Sequence, residues 1–197
     1  PVKGVNKERS IGIPLPGSDI QIRSLDRSDQ IMPAGEKGEV CVRGPQVMPG
    51  YWQNETATRE TFVDGWLKTG DVGYADQDGY IFLDDRLKDV ILCSGYNVYP
   101  RAIEEALYLH EQIAEVTVIG VPDQYRGQAP KAFVRLKDNV TDVTAEDLRT
   151  FLDDKISRIE MPREIEIREE LPKTMVGKLS KKELVEEERL KREGKAQ

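Results

Sequence analysis

The sequence predicts an α+β protein in two parts, a β-rich stretch over 1–85 followed by a small mixed α+β domain over 86–197. Two observations carry that division. Up to Leu83, short strand-like alternations are separated by dense Gly and Pro; after Asp84-Asp85-Arg86 that punctuation thins and apolar residues recur at helical spacing. The two textures meet near Asp84 to Asp89, and there is no internal repeat or low-complexity tract.

In the first part, Ile20 and Ile22 point one way across Gln21, and Glu39-Val40-Cys41-Val42-Arg43 is bounded by Gly38 and Gly44, as strands are. The turn signal Asp76-Gln77-Asp78-Gly79 leads into Tyr80-Ile81-Phe82-Leu83, which predicts a hairpin ending in a short buried strand. In the second part, Val90-Ile91-Leu92-Cys93, then Ser94-Gly95, then Tyr96-Asn97-Val98 reads as a tight hairpin turning at Gly95. Pro100 suits the first position of a helix, where its missing N–H costs nothing. The apolar face of that helix is Ala102, Ile103, Ala106, Leu107 and His110.

Val116 to Val121 and Ala132 to Leu136 are then two strands joined by a polar loop containing Pro122-Asp123 and Arg126-Gly127. Thr144 is placed to cap a helix whose apolar face is Leu148, Phe151, Leu152 and Ile156. Ile165 and Ile167 alternate with charged neighbours as a half-buried strand. Ser180-Lys181-Lys182-Glu183 opens a charged final helix.

Composition narrows the function classes. With 38% hydrophobic and 33% charged residues among 197, collagen-like and wholly disordered readings are out. Lys plus Arg number 29 against 36 Asp plus Glu, a net charge of −7. No global positive field therefore draws the chain to nucleic acid or anionic lipid, and phosphate must be met locally. Cys41 and Cys93 lie in apolar stretches without metal-type spacing, so neither a disulfide nor a metal site is expected. Pro1 to Gly17 lacks the basic start, apolar core and cleavage site of a signal peptide, and no apolar run is long enough for a membrane span. The expected location is cytoplasmic. The chain starts at Pro1 with no Met and reads as a piece of something longer.

Several residues suggest chemistry, each with an ordinary alternative. Asp71, after Gly70 in Gly65-Trp66-Leu67-Lys68-Thr69-Gly70-Asp71, projects a carboxylate from a loop, the group a ribose diol would bond; alone it reads as a turn residue. Arg86 is a fitting nucleotide partner or a surface ion pair with Asp84 or Asp85. Lys178, behind Gly177 in a loop that begins at Leu171-Pro172, carries an ammonium suited to charge growing on phosphoryl or carboxyl oxygens; otherwise it belongs to a solvated basic loop. Bare backbone at Gly95 lets a thin polar chain pass, or is only a hairpin turn. Arg126 alone reads as a surface arginine. His110, the only histidine, reads as packing or dipole complementation, which with the absence of a Gly-x-Ser-x-Gly elbow argues against hydrolase triads.

Taken in order, Gly65 to Gly73, Asp85-Arg86-Leu87-Lys88-Asp89, Ser94-Gly95-Tyr96-Asn97-Val98-Tyr99-Pro100, Gly120-Val121-Pro122-Asp123 with Arg126-Gly127, and Leu171-Pro172-Lys173-Thr174 with Gly177-Lys178 resemble the carboxy-terminal third of an adenylate-forming, AMP-binding enzyme. The wording from Asp85 to Pro100 is most similar to bacterial long-chain fatty acyl-CoA synthetases. Leu92 and Asn97 stand where some relatives carry lysine and arginine, which points away from luciferase chemistry.

The resemblance implies that 1–85 is the incomplete, distorted barrel-like end of a large adenylating domain and that 86–197 is the mobile carboxy-terminal domain. It implies a ligase that joins a fatty acid to ATP, releasing pyrophosphate, and then to coenzyme A, releasing AMP, with Mg2+ as cofactor. Asp71 and Arg86 would bind nucleotide, Lys178 would be catalytic, Lys88 would be the hinge, and Ser94, Gly95, Tyr96 and Arg126 would meet coenzyme A. No residue is assigned to a metal. The phosphate loop and acyl pocket would precede Pro1, so these residues alone are expected to be inactive and to hold no cofactor tightly.

Partners would be small molecules, with no nucleic acid, room for peripheral membrane association, and a lysine acetyltransferase acting at Lys178. An aryl or medium-chain acid ligase, or one serving a carrier protein, shares the same motifs. A non-catalytic partner-binding module is the reading from another class, motivated by the charge-dense tail after Ser180.

Overall fold

The computed structural model describes residues 6–195, so the start at Pro1 lies outside the described residues. The chain divides into two compact units between Lys88 and Asp89. In chain order the first unit holds β1 (Ser10–Gly12), β2 (Asp19–Arg23), β3 (Gly38–Arg43), α1 (Glu55–Thr61), β4 (Phe62–Val63), β5 (Trp66–Ala75) and β6 (Ile81–Arg86). A single 3-10 turn, Leu87–Asp89, follows. The second unit holds β7 (Ile91–Cys93), β8 (Tyr96–Val98), α2 (Pro100–Tyr108), β9 (Ile113–Asp123), β10 (Gly127–Leu136), α3 (Ala145–Leu152), β11 (Glu164–Ile167) and α4 (Lys181–Lys195). The expected α+β class is what the chain adopts.

The first unit is one antiparallel sheet in the order β1-β6-β5-β3-β2, with β4 against β5. The hairpin expected at Asp76-Gln77-Asp78-Gly79 joins β5 to β6, and the Asp76 carboxylate accepts the N–H groups of Asp78 and Tyr80, each at 2.9 Å. The sheet is open, which corrects the barrel-like expectation. Among the described residues its two end strands, β1 and β2, do not pair with each other, so the sheet does not close on itself. Helix α1, capped by Asn54 Oδ1 on the N–H of Ala57 at 3.0 Å, was not expected in this part. Cys41 and Cys93 are free and buried. Burial pushes the Cys41 thiol up to about 11, which makes it inert.

In the second unit the sheet order is β11-β10-β7-β8, with β9 also paired to β10. Alternation along β9 and β10 sorts two cores. Val116, Val118, Ala132 and Val134 face α2 and α3 together with Ile103, Leu107, Leu148 and Leu152. Ile119, Val121 and Phe133 share the other core with Leu171 and with Leu184 of α4.

The hairpin at Ser94-Gly95, the helix beginning at Pro100 and the Thr144 cap, a reciprocal capping box with Asp147, all follow the sequence expectation. Three details differ. Ala102 is exposed, because the buried stripe of α2 is Pro100, Ile103, Ala106 and Leu107. The expected loop after Val121 is only a three-residue turn at 124–126, since β9 runs on through Pro122 to Asp123. Helix α3 ends at Leu152, and Ile156 packs on the same core from the segment beyond it. His110 packs edge-on against Phe151, ring centroids 4.8 Å apart.

Lys131 shares the Phe133 side of β10 and is 3% exposed. Its ammonium bonds Glu164 at 2.9 Å and Glu166 at 2.8 Å on β11, and Glu188 at 3.1 Å on α4. Arg168 adds Glu166 at 2.7 Å and Glu187 at 2.8 Å, and both cations lie over the Phe133 ring. A charged helix is thereby held to the sheet by buried ion pairs as well as by Leu184. No helix among the described residues is long and apolar enough to cross a membrane.

Candidate nucleotide and thiol-cofactor site

The residues singled out in the sequence fall into three clusters, one in the first unit and two in the second. Asp71 sits inside β5 and not on a loop. Strand β3 pairs Glu39 with Val72 and Cys41 with Lys68, so residues 69–71 of β5 stand opposite Val40 alone. This is a bulge, and bulges re-aim side chains. It is pinned from β3: the Thr69 hydroxyl donates to the Val40 carbonyl at 2.8 Å, and Glu39 Oε1 accepts the Gly70 N–H at 3.1 Å. Gly70 supplies a turn signal, but pairing on both flanks absorbs it into the strand.

Asp71 lies directly across from Arg86 on β6. The Arg86 guanidinium Nε meets Asp71 Oδ1 at 2.9 Å, with the carboxylate 26% and the guanidinium 59% exposed. This corrects the alternative pairing of Arg86 with Asp84 or Asp85. Asp84 instead pairs with Lys37 at 2.8 Å, and Asp85 accepts the Arg86 backbone N–H. A half-open carboxylate beside a positive fork can accept a diol on one side and attract phosphate on the other. Lys88, exposed in the 3-10 turn, stands where the two units divide.

The second cluster joins Ser94, Gly95, Tyr96 and Arg126. Ser94 and Gly95 have φ of +52° and +82°, the twist of a two-residue hairpin turn with positive φ at both central residues. A Cβ on Gly95 would meet nothing, so the surface over it is open, but the backbone itself favours glycine there. The Ser94 N–H donates to the Arg126 carbonyl at 2.8 Å, which ties this turn to the turn between β9 and β10.

Asp123 shapes that second turn by accepting the N–H groups of Tyr125 and Arg126, each at 2.9 Å, and by pairing with Arg163 at 2.8 Å. Those backbone bonds hold its carboxyl below the ordinary aspartate range. Beside the turn lies a recess lined by Arg126, Arg149, Arg158 and Arg163 with Asp123 and Asp153. Arg163 is committed to Asp123, and Arg149 to the carbonyls of Pro162 and Arg163. Arg126 and Arg158 pair with no carboxylate among the described residues. The sequence reading missed Arg149 and Arg158, whose only signal was charge in and after α3.

Lys178 forms the third cluster. Its loop is a closed hairpin: Lys173 bridges Leu179, the Thr174 N–H donates to the Lys178 carbonyl at 2.7 Å, and the Lys178 N–H donates to Thr174 Oγ1 at 3.2 Å. Gly177, with φ of +79°, makes the reversal. Met175 and Val176 stand exposed at the tip. Lys178 is exposed, and its ammonium has no ion-pair partner among the described residues. The ammonium thus rides on a stiff turn and is available to an incoming anion. No group of three or more His, Cys, Asp or Glu among the described residues is arranged to hold a metal ion.

The first unit thus carries a half-open carboxylate with an arginine across the strand, and the second carries an exposed lysine on a hairpin and an arginine-lined recess. The chain belongs to the AMP-binding enzymes: the family profile "AMP-binding enzyme" matches residues 2–52, and "AMP-binding enzyme C-terminal domain" matches residues 102–178.

Its relatives include the long-chain-fatty-acid–CoA ligase of Bacillus subtilis (strain 168), 48% identical over 94% of this chain and 33% of that protein. They also include the 2-succinylbenzoate–CoA ligase of Bacillus cytotoxicus, 40% identical over 91% of this chain and 36% of that protein. The chain thus spans about a third of the length of the curated relatives it matches. Among solved structures it is similar to ATP-bound MatB from Rhodopseudomonas palustris, with a TM-score of 0.88 and 30% identity over 95% of this chain and 37% of that one. It is also similar to the o-succinylbenzoate coenzyme A synthetase of Bacillus subtilis in complex with ATP and magnesium ion, with a TM-score of 0.77 and 35% identity over 88% and 35%.

Proposed function

We propose that this chain is part of an ATP-dependent long-chain fatty acid–CoA ligase. The observation that carries the substrate class is the order of similarity: 48% identity to a long-chain ligase against 40% to a succinylbenzoate ligase. In the first step a carboxylate oxygen of the acid attacks the α-phosphorus of ATP, and pyrophosphate leaves. In the second the coenzyme A sulfur attacks the acyl carbon, AMP leaves, and the thiol proton goes to solvent.

Asp71 accepts the ribose hydroxyls and Arg86 contacts the nucleotide. Lys178 supplies a point charge for the oxygens of the adenylation transition state. The Ser94-Gly95-Tyr96 turn lines the pantetheine passage, and Arg126 meets a coenzyme A phosphate, with Arg158 as a second positive group in the same recess. Magnesium, when bound, neutralises triphosphate charge; no described residue is assigned to hold it. The enzyme acts on small molecules, in the cytoplasm, and exposure of Lys178 is compatible with an acetyltransferase acting there.

The test is a panel of acids offered to the full-length protein, read as acid-dependent pyrophosphate exchange and as thioester formation. Long-chain fatty acids are expected to give the highest kcat/KM. A preference for 2-succinylbenzoate or for aryl or medium-chain acids overturns the substrate class, and no exchange with any acid leaves the partner-binding module. For the hinge, Lys88→Pro fixes φ and removes an N–H in the 3-10 turn. It is expected to abolish one half-reaction selectively; unchanged kinetics of both halves would reject the role.

A further inference from the structure

We propose that Glu115 is a positioning residue for Lys178, acting through Lys173 at the foot of the lysine-bearing hairpin. Lys178 has no ion-pair partner among the described residues, so what the structure fixes is the point on the hairpin backbone from which its side chain starts. That backbone is a short, continuous chain of contacts. Lys178 is bonded through both its N–H and its carbonyl to Thr174, and Thr174 follows Lys173, which bridges Leu179 at the base. The ammonium of Lys173 meets Glu115 Oε1 on β9 at 2.6 Å.

Glu115 is itself held. Its other oxygen, Oε2, takes Arg135 Nε at 3.1 Å, and Arg135 lies directly across from it on β10. The Glu115 side chain is only 19% exposed, against 46% for Lys173, so the carboxylate is the fixed end of the pair and the lysine the end it restrains. The bond from Lys173, against the cost of burial and with help from Arg135, keeps the carboxyl below the ordinary glutamate range, so the anchor is charged at neutral pH.

The hairpin has other attachments, but they act at its ends and not on its direction. The Ser180 N–H donates to the Pro172 carbonyl at 2.8 Å, and Leu171 and Leu179 pack with Phe133 and Leu184. These keep the two feet of the loop on the sheet. The Glu115–Lys173 pair is the polar tie that stops the leading strand from swinging about those feet. A reacting group displaced by an ångström or so loses a large part of its effect, about a hundredfold in demanding cases.

The inference rests on the proposed role of Lys178 in adenylation, and the variants separate the two. In the full-length protein, Glu115→Gln and Lys173→Met are each expected to lower kcat for acid-dependent pyrophosphate exchange by about tenfold or more. KM for ATP should stay put, and thioester formation from supplied acyl-adenylate should stay within about twofold. Lys173→Arg, which keeps a donor for Glu115, is expected to recover most of the exchange rate. Added to Lys178→Ala, Glu115→Gln should cost nothing further, because both act through one ammonium.

Equal loss in both half-reactions, or an additive loss on top of Lys178→Ala, overturns the positioning role and leaves a structural ion pair. Exchange within about twofold of wild type in Lys173→Met, which alters an exposed side chain and spares the fold, overturns it too. If Lys178→Ala itself spares adenylation, the reading of Lys178 fails first and this one with it.

Discussion

Replacing Lys178 by alanine in the full-length protein is expected to slow adenylation by roughly two to three orders of magnitude, the range measured when one donor to a developing oxyanion is removed. Thioester formation from supplied acyl-adenylate should change far less. The expectation follows from what surrounds the ammonium. It is exposed and has no carboxylate partner among the described residues, so removing it orphans no buried charge and should cost the fold little. A loss of rate without a loss of stability is therefore the signature to look for. Half-reaction rates and a melting curve on the same sample check it, and equal losses in both half-reactions would sink the role. Acetylation removes the same charge and should mimic the variant, whereas Lys178→Arg keeps charge but replaces a compact point donor with a planar fork.

Lys131→Ala is expected to have the largest effect on stability, about 3–5 kcal/mol, because it leaves Glu164, Glu166 and Glu188 without the buried cation they share. A domain of this size is stable by roughly 5–15 kcal/mol. The melting temperature of the second unit should therefore fall on the order of 20 °C. Lys131→Met combined with Glu188→Leu should recover a good part of that, since it turns a broken ion network into apolar packing against Leu184 and Phe133. A Lys131→Met protein as stable as wild type would show that the network contributes nothing net.

The pH dependence has a defined sign. Burial opposes charge on Glu166, but the bonds from Lys131 and Arg168 outweigh it and depress its carboxyl to about 2. Its contribution is therefore present above the ordinary value of 4.5 and is lost as pH falls toward 2. Burial likewise opposes charge on Lys131, and Glu166, Glu164 and Glu188 outweigh it and raise its pKa. That contribution is complete below 10.5 and is lost only above it. Destabilisation of the second unit by acid, followed by a melting curve at each pH, should accordingly set in as pH falls below about 4.5 and continue toward 2.

What the sequence made legible was local. Gly95 between two apolar runs announces a hairpin because glycine tolerates the positive φ such a turn needs, Pro100 announces a helix start, and Thr144 announces a helix cap. These signals act within a few residues. The Lys131 network draws on positions 131, 164, 166 and 188, which only the parallel pairing of β11 with β10 and the docking of α4 bring together. Alternation marks Ile165 and Ile167 as a strand but not its partner, and at the end of the strand Ile167 is 37% exposed.

Gly70 misled for a related reason. Gly signals a reversal, and whether the chain leaves the sheet there or bulges depends on flanking strands that a single sequence does not display. The candidate site residues were named one by one through the resemblance. The bulge behind Asp71, the Asp123 turn and the Glu115–Lys173 tie were not, since they join residues far apart in sequence.

The bond from the Ser94 amide to the Arg126 carbonyl makes Ser94 a natural spectroscopic probe. Its side chain is exposed, yet its amide proton is engaged in a bond between two turns. In hydrogen exchange it should be protected well beyond its exposed neighbour Gly95, and loss of that protection would report the two turns separating before the sheet beneath them opens.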